Sequence, residues 1–215
     1  HFAFHLLLFL KTNTILKKPM TLTEFISLHD KENSVVLLEG KRNVRDEDKS
    51  KLTQLGKLLA SKTKNIIFRS GNATGADQFF SLGVASVSYE RLQVITPYTD
   101  HRKKTNQAYS TISLDDIDIA AEQDVVLQSK LNKKTETLID KYVAGQKNQV
   151  TIKAAYILRD TVKVLGTEKI SPATFGIFYD DLENPGTGGT GHTMNICKQN
   201  GVDLIDQNVW FHWLQ

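Results

Sequence analysis

Cysteine, methionine and proline are scarce in this chain of 215 residues, which has one, two and four of them respectively. The single cysteine, Cys197, excludes an intramolecular disulfide framework and a cysteine-rich zinc cage, and it fits a reducing, cytoplasmic location. Few prolines and only 13 glycines exclude a collagen-like fibre, and a 40% hydrophobic content excludes a disordered chain. Long hydrophobic runs are also missing, which excludes a protein with several membrane spans.

The first 20 residues differ from the rest of the chain. Their apolar run, Phe2 to Leu10, is interrupted by His5 and is far shorter than the roughly 20 residues that span a bilayer. Lysines follow the run rather than precede it, unlike in a secretory signal. Three interpretations remain: translated upstream sequence, a weak amphipathic anchor, or a first element packed on the fold. We favour the first, an appendage before a natural start at Met20, and expect one domain at residues 21–215.

The basic excess of the chain is confined to this segment. The chain has 27 Lys+Arg and 24 Asp+Glu, and residues 1–20 hold three lysines and no acidic residue. Residues 21–215 therefore have 24 of each and a formal charge of zero. Because bulk charge does not favour a nucleic acid or a membrane partner, any anion site must be made locally, by loops.

Short apolar runs bounded by turn residues alternate with helical patterns along the domain. Such continuous runs are typical of parallel strands that are covered on both faces. The order predicts an α/β fold, a Rossmann-like, open and mainly parallel sheet with helices on both faces in three layers. The predicted strands are Val35–Glu39, Asn65–Arg69, Leu92–Thr96, Thr174–Tyr179 and Val202–Ile205. Helices are predicted at Asp46–Lys62, Ala76–Ser86, His192–Gln199 and near Glu24–Leu28, the last capped by Thr21 and Thr23.

The stretch from about residue 98 to residue 166 interrupts this alternation. It is long and polar, and partial helical periodicity predicts helices at Ser113–Lys130, Lys133–Ala144 and Thr151–Leu165. No flexible linker sets it apart, so we interpret it as a helical insertion within the single domain. A lid or a dimerisation arm is one interpretation, but plain helical covering of the sheet is the one we favour.

Two loops that follow predicted strands hold candidate binding residues, because ligands of open α/β sheets bind beyond the carboxyl ends of the strands. The first begins with Gly40 and Arg42, which suit phosphate binding, although a turn with solvated charges explains it equally well. The second leads into a helix whose N-terminal N–H groups attract anions. There we favour phosphate or nucleotide binding over simple capping by Asp77. The candidates in the second loop are Ser70, Gly71, Asn72, Thr74 and Gly75.

A third loop, from Pro185 to Thr193, contains four glycines and three threonines in nine residues. It nearly satisfies the P-loop pattern, but His192 replaces the required lysine, and no Walker-B-type partner is evident. We therefore expect a nucleotide-binding loop without phosphoryl transfer, with a flexible hinge as the alternative. Its candidate residues are Gly188, Gly189, Thr190, Gly191, His192 and Thr193.

No residues have the spacing of a compact metal site, and we predict no metal ion. We expect His192 to donate to phosphate or to cap a helix rather than to bind zinc. Asp180, Asp181 and Glu183 are candidates for binding ribose hydroxyls, or they form an exposed acidic turn. If the protein is an enzyme, hydrolysis of an N-glycosidic or phosphate ester bond is expected, with Asp77 or Asp181 as general base.

The three loops together resemble those of the SLOG superfamily. This group includes the LOG "lysine decarboxylase-like" proteins, the DprA-type DNA-processing proteins and the YpsA-like and YspA-like proteins. The likeness rests on Gly40-Lys41-Arg42, on Ser70 to Asp77, where Asn72 replaces the usual second glycine, and on Gly189 to Thr193. It covers about residues 34–97 and 174–205. More loosely, Arg159-Asp160 matches an Arg-containing helix that the family places near its ligand.

The resemblance implies that the chain binds a nucleotide or a nucleotide-derived ligand, similar to ADP-ribose, NAD or a nucleoside monophosphate. The protein would act as a sensor or as a processing protein, and a homodimer is expected because related folds often dimerise. A LOG-type nucleoside 5′-monophosphate phosphoribohydrolase is one alternative, although Asn195 and Ile196 occupy the place of that family's catalytic Glu. A DprA-like module on single-stranded DNA is another, and the balanced charge disfavours it.

Overall fold

Six parallel strands form one sheet in the computed structural model, which describes residues 19–215. The strands are β1 (Val35–Gly40), β2 (Ile67–Ser70), β3 (Leu92–Thr96), β4 (Ser110–Ser113), β5 (Phe175–Tyr179) and β6 (Leu204–Ile205). Their spatial order is β4-β3-β2-β1-β5-β6, and each neighbouring pair is parallel. The prediction of an α/β, three-layer Rossmann-like fold is confirmed. Residues 1–18 lie outside the described residues, so the interpretation of residues 1–20 stays a prediction.

Helices connect the strands on both faces of the sheet. Thr21 caps α1 and forms a capping box with Glu24, so the first helix begins at Leu22, two residues before the predicted start, and Thr23 lies within the helix instead of capping it. In α2, leucines at helical spacing and an acidic first turn give a helix with the predicted bounds. The helices are α1 (Leu22–His29), α2 (Asp46–Lys62), α3 (Ala76–Ser88), α4 (Gln123–Ser129), α5 (Glu136–Val143), α6 (Ile152–Leu165), α7 (Gly188–Gln199) and α8 (Gln207–Trp210).

Alternation along β1 decides which side chains face which helical layer. Val36 and Leu38 belong to the core shared with α2 and α3, whereas Leu37 belongs to the core shared with α7. Because successive side chains on a strand point to opposite faces, Glu39 points to the same side as Leu37. The Glu39 carboxylate therefore lies in the layer between the sheet and the helices α6 and α7.

The segment from residue 98 to 166 contains a strand, β4, that the sequence pattern does not predict. β4, with the sequence S-T-I-S, pairs with β3 and ends at Ser113, the first residue of the predicted helix Ser113–Lys130. That predicted helix is corrected: a 3-10 turn at Leu114–Asp116 follows β4, and α4 begins only at Gln123. Further along, α6 packs Leu158 and Val162 in one core with Ile95 of β3. This long helix therefore covers the sheet.

The chain order creates a crevice between β1 and β5. From β1 the strands proceed outward to β4, and the chain then returns to place β5 on the other side of β1. The loop after β1 leads to α2 on one face and the loop after β5 leads to α7 on the other, so the two loops separate and leave an opening. Among residues 19–215, no helix combines the length and apolarity needed to cross a membrane.

Candidate functional site

Two cavities lie at the carboxyl ends of β1 and β5, and both are lined by Lys41 and Arg42. We call the first, of about 510 Å³, the α6–α7 cavity. It is lined by Glu39, Gly40, Lys41, Arg42, Ala73, Asp77, Ile152, Lys153, Tyr156, Arg159, Asp160, Lys163, Thr187, Gly188, Gly189, Thr190 and Thr193. The second, the β5-loop cavity, measures about 760 Å³. It is lined by Lys41, Arg42, Asn43, Arg45, Asp48, Thr74, Tyr179, Asp180, Asp181, Leu182, Glu183, Gln207 and Phe211.

The two cavities differ in the balance of their charged side chains. Five basic and three acidic side chains line the α6–α7 cavity. The β5-loop cavity has three basic and four acidic side chains. Since residues 21–215 are neutral as a whole, the local excess of cations makes the α6–α7 cavity the more favourable place for an anionic ligand.

A network of buried charges forms part of the wall of the α6–α7 cavity. Lys163 Nζ lies 2.6 Å from Glu39 Oε2 and 2.8 Å from Asp160 Oδ1, so one ammonium group joins the two carboxylates. Arg159 Nε lies 2.9 Å from the same Asp160 oxygen. All four side chains are at most 8% exposed, so their mutual pairing is what makes the burial of these charges tolerable.

Glu39 is the member of this network with a fully buried oxygen that has no partner among the described residues. Its Oε1 is buried and receives no hydrogen bond from the residues that the structure describes. Burial raises the pKa of Glu39 to about 7, with Asp77 and Asp160 adding to the rise and Lys163 opposing it. The carboxyl group can therefore gain or lose a proton near neutral pH.

The pKa of Asp160 is shifted in the opposite direction to that of Glu39. Burial alone would raise the pKa of Asp160, but the adjacent Arg159 and Lys163 bring it below its ordinary value. A Cβ placed on Gly189 would lie 3.5 Å from Asp160 Oδ2, so this carboxylate lies over the first turn of α7. Near neutral pH the network thus contains one carboxylate that stays ionised and one that titrates.

Asp77 joins the first two loops rather than presenting a free carboxylate. Its Oδ1 accepts a hydrogen bond from the Gly40 N–H at 3.1 Å, and its Oδ2 accepts from the N–H groups of Gly71 and Ala73 at 3.2 and 3.3 Å. The side chain is buried at the start of α3, where the helix dipole favours a negative charge. Asp77 therefore fixes the shape of the cavity wall.

The second loop is also fastened to α6. Arg159 donates through an Nη group to the carbonyl of Gly71, and a Cβ on Gly71 would lie 2.3 Å from that nitrogen. Arg69, in β2, donates to Gln93 Oε1 at 2.6 Å and to the carbonyl of Lys163 at 2.9 Å, and its burial lowers the Arg69 pKa to about 10. A side chain at position 71 would displace the guanidinium, so glycine there preserves the contact between the second loop and α6.

The third loop is mostly the first turns of a helix. The prediction that a helix begins at His192 is corrected, since α7 begins at Gly188, and Thr187 precedes it without forming a side-chain cap. A Cβ on Gly191 would lie 1.9 Å from the carbonyl oxygen of Gly186, so only glycine fits there. Lys41 Nζ donates to the carbonyl and the hydroxyl of Thr187 at 2.7 and 2.8 Å. This places the first loop against the N-terminus of α7.

The structure brings together about half of the predicted site residues. The α6–α7 cavity receives Gly40, Arg42, Asp77, Gly188, Gly189, Thr190 and Thr193. Thr74 and Asp181, and Arg42 again, line the β5-loop cavity. The other candidates line neither cavity, and they are Ser70, Gly71, Asn72, Gly75, Gly191 and His192.

Several of these other candidates have structural contacts of their own. Asn72, at a positive φ of 55°, donates from Nδ2 to the carbonyl of His101 at 3.2 Å. Gly75 has a φ of 82°, and a Cβ there would lie 2.2 Å from the Arg42 carbonyl oxygen. His192 lines a separate cavity together with Leu131, and its burial lowers its pKa. These positions shape the loops instead of facing the α6–α7 cavity.

Asp181 and its acidic neighbours form a turn. Asp181 Oδ1 accepts from the N–H groups of Glu183 and Asn184 at 3.0 and 3.3 Å, and the Glu183 N–H is the main reason that the pKa of Asp181 is lowered. Asp180 accepts from the Gly186 N–H at 2.7 Å. Asp77 and Asp181, the two predicted general bases, therefore lie in different cavities.

Residues on α6 and at the end of β1 complete the site, although none of them lies in the three loops that the sequence predicts to bind a ligand. They are Glu39, Ile152, Lys153, Tyr156, Arg159, Asp160 and Lys163. Arg159-Asp160 had a signal, through the loose SLOG resemblance. Glu39 also had a signal in the sequence, because a Glu at the end of an otherwise apolar strand places a charge in the core. The charges of α6 recur at helical spacing, so they share one face of the helix.

The arrangement suits a small anionic ligand and not a metal ion held by a ready-made cluster. Within residues 19–215, no group of three His, Cys, Asp or Glu side chains is arranged to hold a metal. Comparison with known proteins found no matching family model, no matching curated protein and no matching solved structure.

Proposed function

We propose that this protein binds a nucleotide or a nucleotide-derived ligand in the α6–α7 cavity, as a sensor or as a processing protein. The single observation that carries the proposal is a cavity with a surplus of cations, at the switch point of a parallel sheet, closed on one side by the uncapped N-terminus of α7. N–H groups at such a terminus and nearby Lys or Arg side chains are the usual ligands of phosphate in α/β proteins.

The phosphate is assigned to the outer part of this cavity. Arg42 and Lys153 are exposed and approach from the β1 loop and from the first turn of α6. Gly188, Gly189 and Thr190 supply N–H groups from the first turn of α7, which have no partner within the helix. These donors surround the opening on three sides.

Size and lining agree with a nucleoside phosphate. A volume of about 510 Å³ lies within the range of small-molecule sites. Ile152 and the half-buried Tyr156 give one wall an apolar and aromatic surface, which suits the flat face of a base.

Thermal-shift measurements with AMP, GMP, CMP, UMP, ADP, ADP-ribose and NAD at millimolar concentration test the proposal. At least one should raise the melting temperature of the wild-type protein, because a ligand that binds only the folded state stabilises it. Lys153→Glu should abolish the shift, and a glutamate in the first turn of α6 is compatible with the helix dipole. Lys57→Glu on α2 is the matched control and should retain the shift. No shift with any of the seven compounds would contradict the proposal.

A second candidate function is hydrolysis of a nucleoside 5′-monophosphate to the free base. One observation favours it: the Glu39 carboxyl group, which titrates near pH 7, belongs to the same cavity. A catalytic acid or base works best when its pKa is close to the operating pH. Chromatography of each monophosphate after incubation with the protein would detect the released base, and its absence would leave binding as the function. No described feature favours the single-stranded DNA alternative.

A further inference from the structure

The unpartnered oxygen Oε1 of Glu39 indicates which kind of ligand group would bind beside it. Oε1 is buried, whereas Oε2 is paired with Lys163 at 2.6 Å. A buried acceptor without a hydrogen bond is costly, and native proteins rarely leave one without a water, an ion or a ligand to satisfy it. A phosphate does not satisfy this oxygen, because both groups are acceptors when ionised. The missing partner is therefore a donor.

We infer that Glu39 accepts a hydrogen bond from a ribose hydroxyl of the bound ligand, so that the α6–α7 cavity selects ribonucleotides over their deoxy counterparts. This inference rests on the proposed function. A nucleoside phosphate combines the two features that the cavity requires, since its phosphate meets the cations at the opening and its sugar carries hydroxyl donors. A phosphate without a sugar, or a neutral sugar, would satisfy only one part of the site.

The surroundings of Glu39 make the selection specific to this carboxylate. Lys163 and Asp160 face it from α6, Asp77 from α3, and Arg69 lies close by in β2. Burial raises the pKa of the Cys197 thiol in α7, and the nearby charge of Glu39 adds to the rise. The two oxygens of Asp77 are already taken by N–H groups, and Asp160 Oδ1 is paired with two cations. Among the oxygens of these three carboxylates, Glu39 Oε1 is the one that is fully buried without a donor from the described residues, so it is the acceptor that a ligand hydroxyl can complete.

The same geometry assigns the ribose to a different residue than the sequence predicts. Asp180, Asp181 and Glu183 were the candidates for ribose hydroxyls, but they line the β5-loop cavity. In that cavity Asp181 Oδ1 is occupied by turn N–H groups, and Asp180 is bonded to Gly186. Recognition by Glu39 needs no rearrangement of that turn.

Affinities for four adenosine monophosphates that differ only at the sugar test the inference. Isothermal titration at pH 8 compares AMP, its 2′-deoxy and 3′-deoxy forms, and the 2′,3′-dideoxy form. Wild-type protein should bind AMP at least tenfold more tightly than the dideoxy form, and one of the two single-deoxy compounds should show most of that loss. If AMP is a weak ligand, the nucleotide that gives the largest thermal shift replaces it in the same four sugar forms.

The double variant Glu39→Leu/Lys163→Met supplies the matched control. It removes the two paired charges together and fills their space with apolar side chains, so neither partner of the pair is left alone and Asp160 keeps Arg159. It should fold, as judged by circular dichroism, and bind all four compounds with the wild-type affinity for the dideoxy form. The surface variant Glu47→Gln should behave as wild type.

The outcomes separate the inference from the function on which it depends. Equal binding of ribo and dideoxy forms by the wild type overturns the inference and leaves the proposed function intact. Retained discrimination in the folded double variant also overturns it, because the selecting group would lie elsewhere. No binding of any ribonucleotide contradicts the proposed function and the inference together. If the double variant does not fold, Glu39→Leu replaces it, because Lys163 then keeps its pair with Asp160, and retained discrimination in that variant overturns the inference in the same way.

Discussion

The two cavities share Lys41 and Arg42 but differ in the exposure of the other charged side chains that line them. The α6–α7 cavity is lined by charges that are paired with one another in the interior, such as Lys163 and Glu39, whose side chains are 2% and 5% exposed. In the β5-loop cavity Asp48 and Asp180 are buried, but other charges reach into solvent, as with Arg45 and Glu183, which are 60% and 80% exposed. Size does not distinguish a site, since the larger cavity is the one with fewer cations and more solvated acids. Burial of unlike charges in a fixed arrangement is the better indicator.

Removing one buried charge should give the largest effect. Lys163→Ala leaves Glu39 and Asp160 without their shared ammonium, and we expect it to lower the free energy of unfolding by about 3–5 kcal/mol. Arg45→Ala removes an exposed ion pair of the β5-loop cavity and should cause no measurable change. Urea denaturation of both variants gives the values. Equal effects would remove the energetic difference between the cavities.

The pH dependence of stability should also be traced to the α6–α7 cavity. The pKa of Glu39 rises from 4.5 to about 7 on folding, so between these values the folded state binds a proton that the unfolded state has released. The free energy of unfolding should therefore fall as pH rises through this window, by an amount on the order of 3 kcal/mol. In Glu39→Gln this part of the slope should vanish, whereas Glu47→Gln should keep it. Urea titrations from pH 4 to pH 8 measure the slopes.

The aromatic wall offers a more moderate test of the ligand's orientation. If a base stacks on Tyr156, Tyr156→Ala should weaken nucleotide binding by roughly tenfold, because stacking contributes about 1–3 kcal/mol. Tyr156→Phe keeps the ring and should bind within about twofold of wild type. Ribose 5-phosphate has no base, so its affinity should not respond to either substitution. Isothermal titration of the three proteins separates these cases, and a loss for ribose 5-phosphate as well would indicate general damage.

The smallest effect is expected in the β5-loop cavity. Asp181→Asn keeps the side-chain oxygen that accepts from Glu183 and Asn184, and it removes only a charge at the edge of the loop. We expect nucleotide affinity and any hydrolysis to change less than about twofold. A large loss of either in Asp181→Asn would instead move the functional site to the β5-loop cavity.

The fold was largely readable from the sequence, since five of the six described strands lie in continuous apolar runs. β4 was missed because Ser110–Ser113 has a single apolar residue and gains its strand character from pairing with β3. Such pairing is a tertiary effect that no local pattern reports. The start of α7 was misplaced for a related reason, because the glycine content of Gly188 to Gly191 conceals a helical turn.

Only about half of the candidate site could be predicted from the sequence. The loops after β1, β2 and β5 were found because strand ends are where ligands bind in this architecture. On α6 only Arg159-Asp160 was indicated, through the loose SLOG resemblance. Lys163 was not found, because it reaches the site through the packing of the helix on the sheet, which sequence spacing does not report. Glu39 was passed over as part of a strand, although its charge within the apolar run was itself unusual.

The chain separation of these contacts has a consequence for the time course of folding. Arg159 binds a carbonyl 88 residues earlier in the chain, and Lys163 pairs with a carboxylate 124 residues earlier. Contacts this remote require most of the chain to be ordered before they form. In a refolding experiment we expect binding competence to return in the slowest phase, after the helical signal of α2 and α3 is complete. A newly made chain would then be compact before it is able to recognise its ligand.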